Sequence, residues 1–180
     1  MKLKHIAAAA FAAIAAISCN TAGKGEWAPA GDRIMTVWGE NLDPSDVLQE
    51  YPRPQMIRDK WMNLNGLWEY AITPIEVVPE KMDGHILVPF AVESALSGVG
   101  RAVTENDALW YEREFAVPEE WAGQRVLLHF GAVDWKAEVY VDDKLAGEHT
   151  GGYAPFSFDV TDLLGKGRKH TLKLKVTDRT

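Results

Sequence analysis

The sequence predicts an all-β domain, a sandwich or jelly roll spanning residues 48–180, and three observations carry that prediction. Apolar residues recur with period two from Leu64 onward, turn residues interrupt these runs at short intervals, and no helical periodicity of ordinary length lies between them. Short strands without intervening helices exclude a parallel α/β sheet, whose crossovers require helices between strands.

The chain opens with MKLKHIAAAAFAAIAAISCN, a basic start at Lys2 and Lys4 followed by an apolar run from Ile6 to Ile17. Those 12 residues fall short of the roughly 20 that span a bilayer, so the run reads as a secretory signal and not as a permanent transmembrane helix. Cys19, the only cysteine, follows Ala16-Ile17-Ser18, and this end of the run resembles a bacterial lipobox. The other reading is an ordinary signal peptide with an incidental cysteine. On the lipobox reading, residues 1–18 are a lipoprotein signal peptide and Cys19 is lipidated. The protein is then secreted across the inner membrane and lipid-anchored, in the periplasm or at the outer membrane. Loss of Lys2 and Lys4 takes the 19 basic residues to 17 against 26 acidic ones, a mature charge of -9.

Residues 19–47 read as tether and arm, with Gly, Ala and Lys scattered without period. Asp43-Pro44-Ser45-Asp46 predicts a short helical turn through Val47, Leu48 and Gln49. Tyr51-Pro52-Arg53-Pro54 must be extended, because each proline disfavours helix at the residue before it. Strands are predicted at Leu67 to Ile72, His85 to Val88, Leu109 to Val117, Val126 to Phe130, Ala137 to Val141, Phe156 to Val160 and Leu172 to Val176. Asp83-Gly84, Asp142-Asp143-Lys144 and Gly151-Gly152 are the turns between them.

An acidic balance of 26 Asp+Glu against 19 Lys+Arg argues against nucleic acid or an anionic membrane surface as a charge-driven partner. The five histidines are scattered, without the close spacing of a short metal motif, so no metal and no cofactor is implied. Gly98-Val99-Gly100 and Gly165-Lys166-Gly167 read as turn glycines, because neither has the strand and helix of a phosphate loop. Ser94 and Ser97 lack the setting of a nucleophile elbow. His129 reads as a solvent-facing or hydrogen-bonded strand residue.

What stands out is aromatic and polar residues at strand-loop junctions. Trp110 opens the Tyr111-Glu112-Arg113-Glu114-Phe115 run, and Asp134-Trp135 enters the next alternating strand. Aromatic faces stack on sugar C–H surfaces and carboxylates accept sugar hydroxyls, so Glu93, Asn106, Asp107, Trp110, Asp134 and Trp135 are candidate carbohydrate contacts gathered at one end of the sandwich. The alternative is that Trp110 and Trp135 are core plugs and that Asp134 pairs with Arg113. Arg113 shares a strand face with Tyr111 and Phe115, so it should be partly buried and paired with a carboxylate.

Several strings also carry a family resemblance. Tyr51-Pro52-Arg53-Pro54-Gln55, Leu64-Asn65-Gly66-Leu67-Trp68, Val88-Pro89-Phe90 with Glu93 to Val99, Trp110-Tyr111, Leu128 to Trp135, and Gly151 to Asp159 resemble, in order, the N-terminal sugar-binding domain of glycoside hydrolase family 2. That family includes β-galactosidases and β-glucuronidases. The resemblance implies a galactose-binding-like jelly roll, followed in such enzymes by an immunoglobulin-like domain and a barrel holding both catalytic glutamates. It therefore implies no catalytic residue among these 180 and no hydrolysis by this chain alone. Two functions compete: the non-catalytic carbohydrate-binding domain of a family 2 enzyme, with the downstream domains as partners and a β-linked glycoside as ligand, or a free-standing glycan-binding surface lipoprotein.

Overall fold

A computed structural model describes residues 27–179. Cys19 and the signal segment lie outside the described residues. Eight strands form two sheets: β1 (Gly66–Pro74), β2 (Gly84–Val88), β3 (Asp107–Ala116), β4 (Leu127–Phe130), β5 (Lys136–Val141), β6 (Lys144–Thr150), β7 (Phe156–Asp159) and β8 (Lys169–Thr177). The larger sheet has the order β2-β1-β3-β8-β5-β6, and β4 pairs with β7 in the smaller one. All pairings are antiparallel. The all-β sandwich expected from the period-two runs is what forms.

Seven of the eight strands coincide with predicted ones. The exception is β6, whose Lys-Leu-Ala-Gly-Glu-His-Thr sequence does not alternate. Its inner face is hidden at Gly147, because the Phe158 ring of β7 occupies the space that a Cβ there would take. The β5–β6 hairpin turns at Asp142 and Asp143, both left-handed at φ 49° and 60°, the backbone of a tight primed turn. The helical turn expected after Asp43 is absent. Asp43 instead folds back on Ser45, its carboxylate accepting from the Ser45 amide at 2.9 Å, and a single α-helical turn, α1, lies earlier at Val37–Glu40. The Asp side chain satisfies the backbone locally and removes the incentive to continue a helix.

Alternation puts Trp68, Leu109, Val139, Val141, Leu172, Leu174 and Val176 on the inner face of the large sheet, facing β4 and β7. The outer face carries a charged lattice, with Lys173 3.3 Å from Glu112 and Lys136 3.0 Å from Glu148. Arg113 points inward and is partly buried, but its partners are backbone. Its Nη1 donates to the Leu64 and Asn65 carbonyls at 2.7 and 2.9 Å, with the guanidinium 6.0 Å from the Trp68 ring centre. The expected carboxylate partner is replaced by two carbonyls that need no second buried charge. Desolvation alone lowers the Arg113 pKa.

Acid should weaken this fold through specific carboxylates. Asp159 has its pKa lowered to about 2, first by the Thr161 hydroxyl and then by Arg125, whose Nε donates at 2.8 Å. Asp142 is also lowered, by the His170 ring at 2.7 Å and then by the Thr171 amide. A folded pKa below the unfolded value gives stability that is present above about pH 4 and lost as pH falls through the folded value. Urea midpoints should therefore be flat between pH 5 and 7 and fall from about pH 4 to 2. Asp159→Asn should make that fall shallower.

The two sheets do not close on each other along their whole width. Between them runs an open cleft of about 1660 Å³, floored by the inner face of the large sheet and bounded by β4 and by the arm residues Trp61 and Met62.

Candidate functional site: one end of the sandwich

Strand register collects several loops at one end. Asp107 of β3 lies opposite Pro74 at the end of β1, Leu109 opposite Val176, and Lys136 of β5 opposite Thr177 at the end of β8. The starts of β3 and β5 and the ends of β1, β6 and β8 therefore share this end. Asn106, Asp107, Asp134 and Trp135 all belong to it, and Glu93 and Asp134 both border the cleft.

Trp135 and Asp134 form the exposed part of the site. The Trp135 indole is 45% exposed. Its carbonyl accepts the Gly151 amide at 2.9 Å, which ties the 151–153 loop to it. Gly151 adopts φ 117°, a backbone that favours glycine, and this lets the loop reverse beside Trp135. The Asp134 carboxylate fills the space that a Cβ on Gly152 would need, so glycine is required there for the acid to sit where it does. Tyr153, next along the loop, is 97% exposed. Sequence reasoning read Gly151-Gly152 only as a turn and missed Tyr153. The usable signal was an aromatic directly after a glycine pair, where no strand face can bury it.

The two tryptophans separate. Trp110 is 4% exposed, on the outer face of the large sheet among Ala71, Ala108, Ile75 and Met82. Its Nε1 donates to the Thr73 hydroxyl at 3.1 Å, and Lys175 lies 5.7 Å from its ring centre. Two small alanines leave a socket that an indole fills, so the expected sugar platform is corrected to a packing role. Asp134 does not pair with Arg113 either, since that guanidinium is engaged with Leu64 and Asn65.

The remaining candidates are Asp107, Asn106 and Glu93. The Asp107 carboxylate caps its own turn, accepting from the Thr104 hydroxyl at 2.7 Å and the Thr104 amide at 3.0 Å, contacts that lower its pKa. The Asn106 carbonyl accepts the Ile75 amide at 2.9 Å. Glu93 is exposed, and its carbonyl accepts from Arg33 at 3.4 Å. Burial first, and the Glu93 charge second, push the inward Tyr111 phenol well above its ordinary range. Ser97 is fully buried, its hydroxyl donating to the carbonyls of Val92 or Ser94 and accepting the Val99 amide at 3.0 Å, a loop staple with no freedom to attack a substrate. Gly98 and Gly100, at φ 80° and 63°, are turn glycines. His129 is exposed, 2.5 Å from the Ser157 hydroxyl and stacked on Trp61 at 5.7 Å.

An indole, a phenol and a carboxylate at one sandwich end can stack on a pyranose face and accept its hydroxyls. Comparisons with known proteins give the family. Residues 83–178 match the family described as "Glycosyl hydrolases family 2, sugar binding domain". A β-glucuronidase of Canis lupus familiaris is 39% identical over 160 residues, 79% of this chain and 24% of that protein. A β-galactosidase of Thermoanaerobacter pseudethanolicus is 43% identical over 63 residues, 35% of this chain and 8% of that protein. Among solved structures, Bifidobacterium dentium β-glucuronidase complexed with coumarin-3-O-glucuronide is similar with a TM-score of 0.52 at 30% identity, covering 63% of this chain and 19% of that one. Ruminococcus gnavus β-glucuronidase shares the fold with a TM-score of 0.56 at 23% identity, covering 72% of this chain and 24% of that one. The chain spans a quarter or less of the length of these relatives.

Proposed function

The chain belongs to the family 2 glycosyl hydrolases through their sugar binding domain, and from that premise we propose that it is the non-catalytic carbohydrate-binding domain of such an enzyme. Its ligand is a β-linked glycoside, and hydrolysis of the O-glycosyl bond falls to downstream domains of the parent. The observation that carries this reading is the exposed Trp135 ring beside the Asp134 carboxylate, held at one end of the sandwich by the Gly151-Gly152 turn. The matched relatives are named for β-glucuronides and β-galactosides, which makes glucuronate and galactose the first ligands to try.

The test is a titration of galactose, glucuronate and short β-linked oligosaccharides followed by tryptophan fluorescence. Binding in the millimolar range, about -4 kcal/mol, is expected, and Trp110→Ala should lower thermal stability. An unchanged signal at tens of millimolar sugar would count against the site. Purified chain should release no nitrophenol from aryl β-galactosides or β-glucuronides, because glycosidase chemistry needs an acid and a second carboxylate placed across one bond. Release that a carboxylate substitution in this chain abolishes would overturn the non-catalytic assignment.

The same reading places the domain outside the inner membrane on a lipidated Cys19, supported by the apolar run and by Ala16-Ile17-Ser18 before it. Cys19→Ser should move the protein from the membrane pellet to the soluble fraction. Unchanged pelleting would remove the anchor from the proposal.

A further inference from the structure

The end of the sandwich away from Trp135 holds a second cavity, of about 450 Å³, between the 117–124 loop and the 161–168 loop. It lies where β3 ends and β8 begins, with Ala116 opposite Lys169. A space of that size stands at the small end of the range for organic ligands and is more than a bare ion fills.

This is also where an acidic chain concentrates its positive charge. Lys166, Arg168, Lys169 and His170 fall within five residues of a sequence with 26 acidic and 19 basic side chains. Lys169 turns to the outer face, 3.6 Å from Glu114, whereas Lys166, Arg168 and His170 border the cavity. His170 is the built part of the wall. Its side chain is 2% exposed and packs against the Phe115 ring at 5.6 Å, with Nδ1 2.7 Å from the Asp142 carboxylate. The second Asp142 oxygen accepts the Thr171 amide at 2.9 Å, so both the acid and the ring it holds are fixed. When protonated, the ring donates to Asp142 through Nδ1 and carries a second N–H at Nε2, on its other edge.

Two further side chains complete the wall. Arg168 pairs with Glu119 at the rim, where both are about 70% exposed, and an exposed ion pair holds its members weakly. The half-buried Trp121, two residues on, borders the same space and offers an indole to a sugar ring.

We propose that this cavity binds a sugar carrying a terminal sulfate or phosphate ester, with Lys166, Arg168 and His170 as donors to the ester oxygens and Trp121 beside the sugar ring. Either ester presents three terminal oxygens to three cationic donors, one more than a carboxylate presents. Glu119 competes with the ester for Arg168, so the empty site holds its own counter-charge. The site is independent of the one at Asp134 and Trp135.

The experiment is an amide and histidine-ring NMR titration of the 180-residue chain with galactose 6-sulfate, galactose 6-phosphate, glucuronate, galactose and sodium sulfate. Both esters should shift residues 119–124, 165–170 and the His170 ring, and the tighter of the two names the ester. Glucuronate at this end should be about tenfold weaker. Lys166→Ala and Arg168→Ala should each weaken the esters about tenfold. Glu119→Gln should tighten them about two- to fivefold by releasing Arg168, while Glu120→Gln, on the same turn but outside the cavity wall, should leave them unchanged. Trp121→Ala should weaken the esters about fivefold and leave sodium sulfate unchanged. No shift at this end with either ester at tens of millimolar would overturn the proposal. So would equal binding of sodium sulfate and the esters, which would reduce the cavity to an adventitious ion site, and so would ester shifts confined to Asp134 and Trp135. Equal tightening by Glu119→Gln and Glu120→Gln would mean that net charge alone attracts the ester, and would contradict a built site.

Discussion

Ile86→Ala and Leu172→Ala should each lower the folding free energy by about 2–5 kcal/mol, because both side chains are almost completely buried in the core. In a domain of this size that corresponds to a drop in Tm of about 5–20 °C. Leu128→Ala is the informative contrast. Leu128 is only partly buried and borders the open cleft, so truncating it leaves little new cavity and should cost about 1 kcal/mol or less. Urea denaturation with a constant m-value measures all three. Equal losses at Leu128 and Leu172 would mean that Leu128 is as deeply buried in solution as Leu172.

The second large effect concerns the sugar site. Trp135→Ala and Gly152→Ala should each weaken sugar binding at least tenfold, beyond a practical titration range for a millimolar ligand, and should leave the far-ultraviolet spectrum and Tm close to those of the parent chain. Trp135 is nearly half exposed, so its removal costs little packing. A methyl group at Gly152 would collide with the Asp134 carboxylate, and an exposed side chain can swing away at small cost in stability while losing its position. Trp110→Ala should do the reverse, destabilising the domain by about 3–5 kcal/mol as expected for a buried indole, with binding retained in the folded fraction. If Trp135→Ala unfolds the chain, Trp135 is a packing residue and the site must be placed elsewhere.

The strands were legible because one face of each is buried: the Val139 and Val141 alternation of β5 and the Leu172, Leu174, Val176 alternation of β8 are imposed by the core. β6 was illegible for the complementary reason, that its contribution to the interior includes a glycine shaped by a ring from another strand, a tertiary fact with no local periodicity. At the site, the gathering of Asp107, Asp134 and Trp135 at one end followed from loop order alone. The exposure of the aromatics did not, since Trp110 and Trp135 both stand at strand starts. What separates them is the surroundings, Ala71 across the strand pair and Ala108 two residues earlier in β3 against Trp110, and an open loop beside Trp135. Arg113 shows the same limit. Its inward direction was readable from the strand face, whereas carbonyl partners at Leu64 and Asn65, nearly fifty residues earlier, were not.

The most direct measurement is a two-dimensional amide NMR titration of the described domain with galactose, glucuronate and a β-linked disaccharide. A carbohydrate-binding domain of the kind proposed predicts dose-dependent shifts concentrated at Asp134, the Trp135 indole and amide, and Gly151 to Tyr153, with the Trp110 indole unmoved. No shift at tens of millimolar sugar, or shifts centred on Trp110 and the outer face of the large sheet, would contradict it.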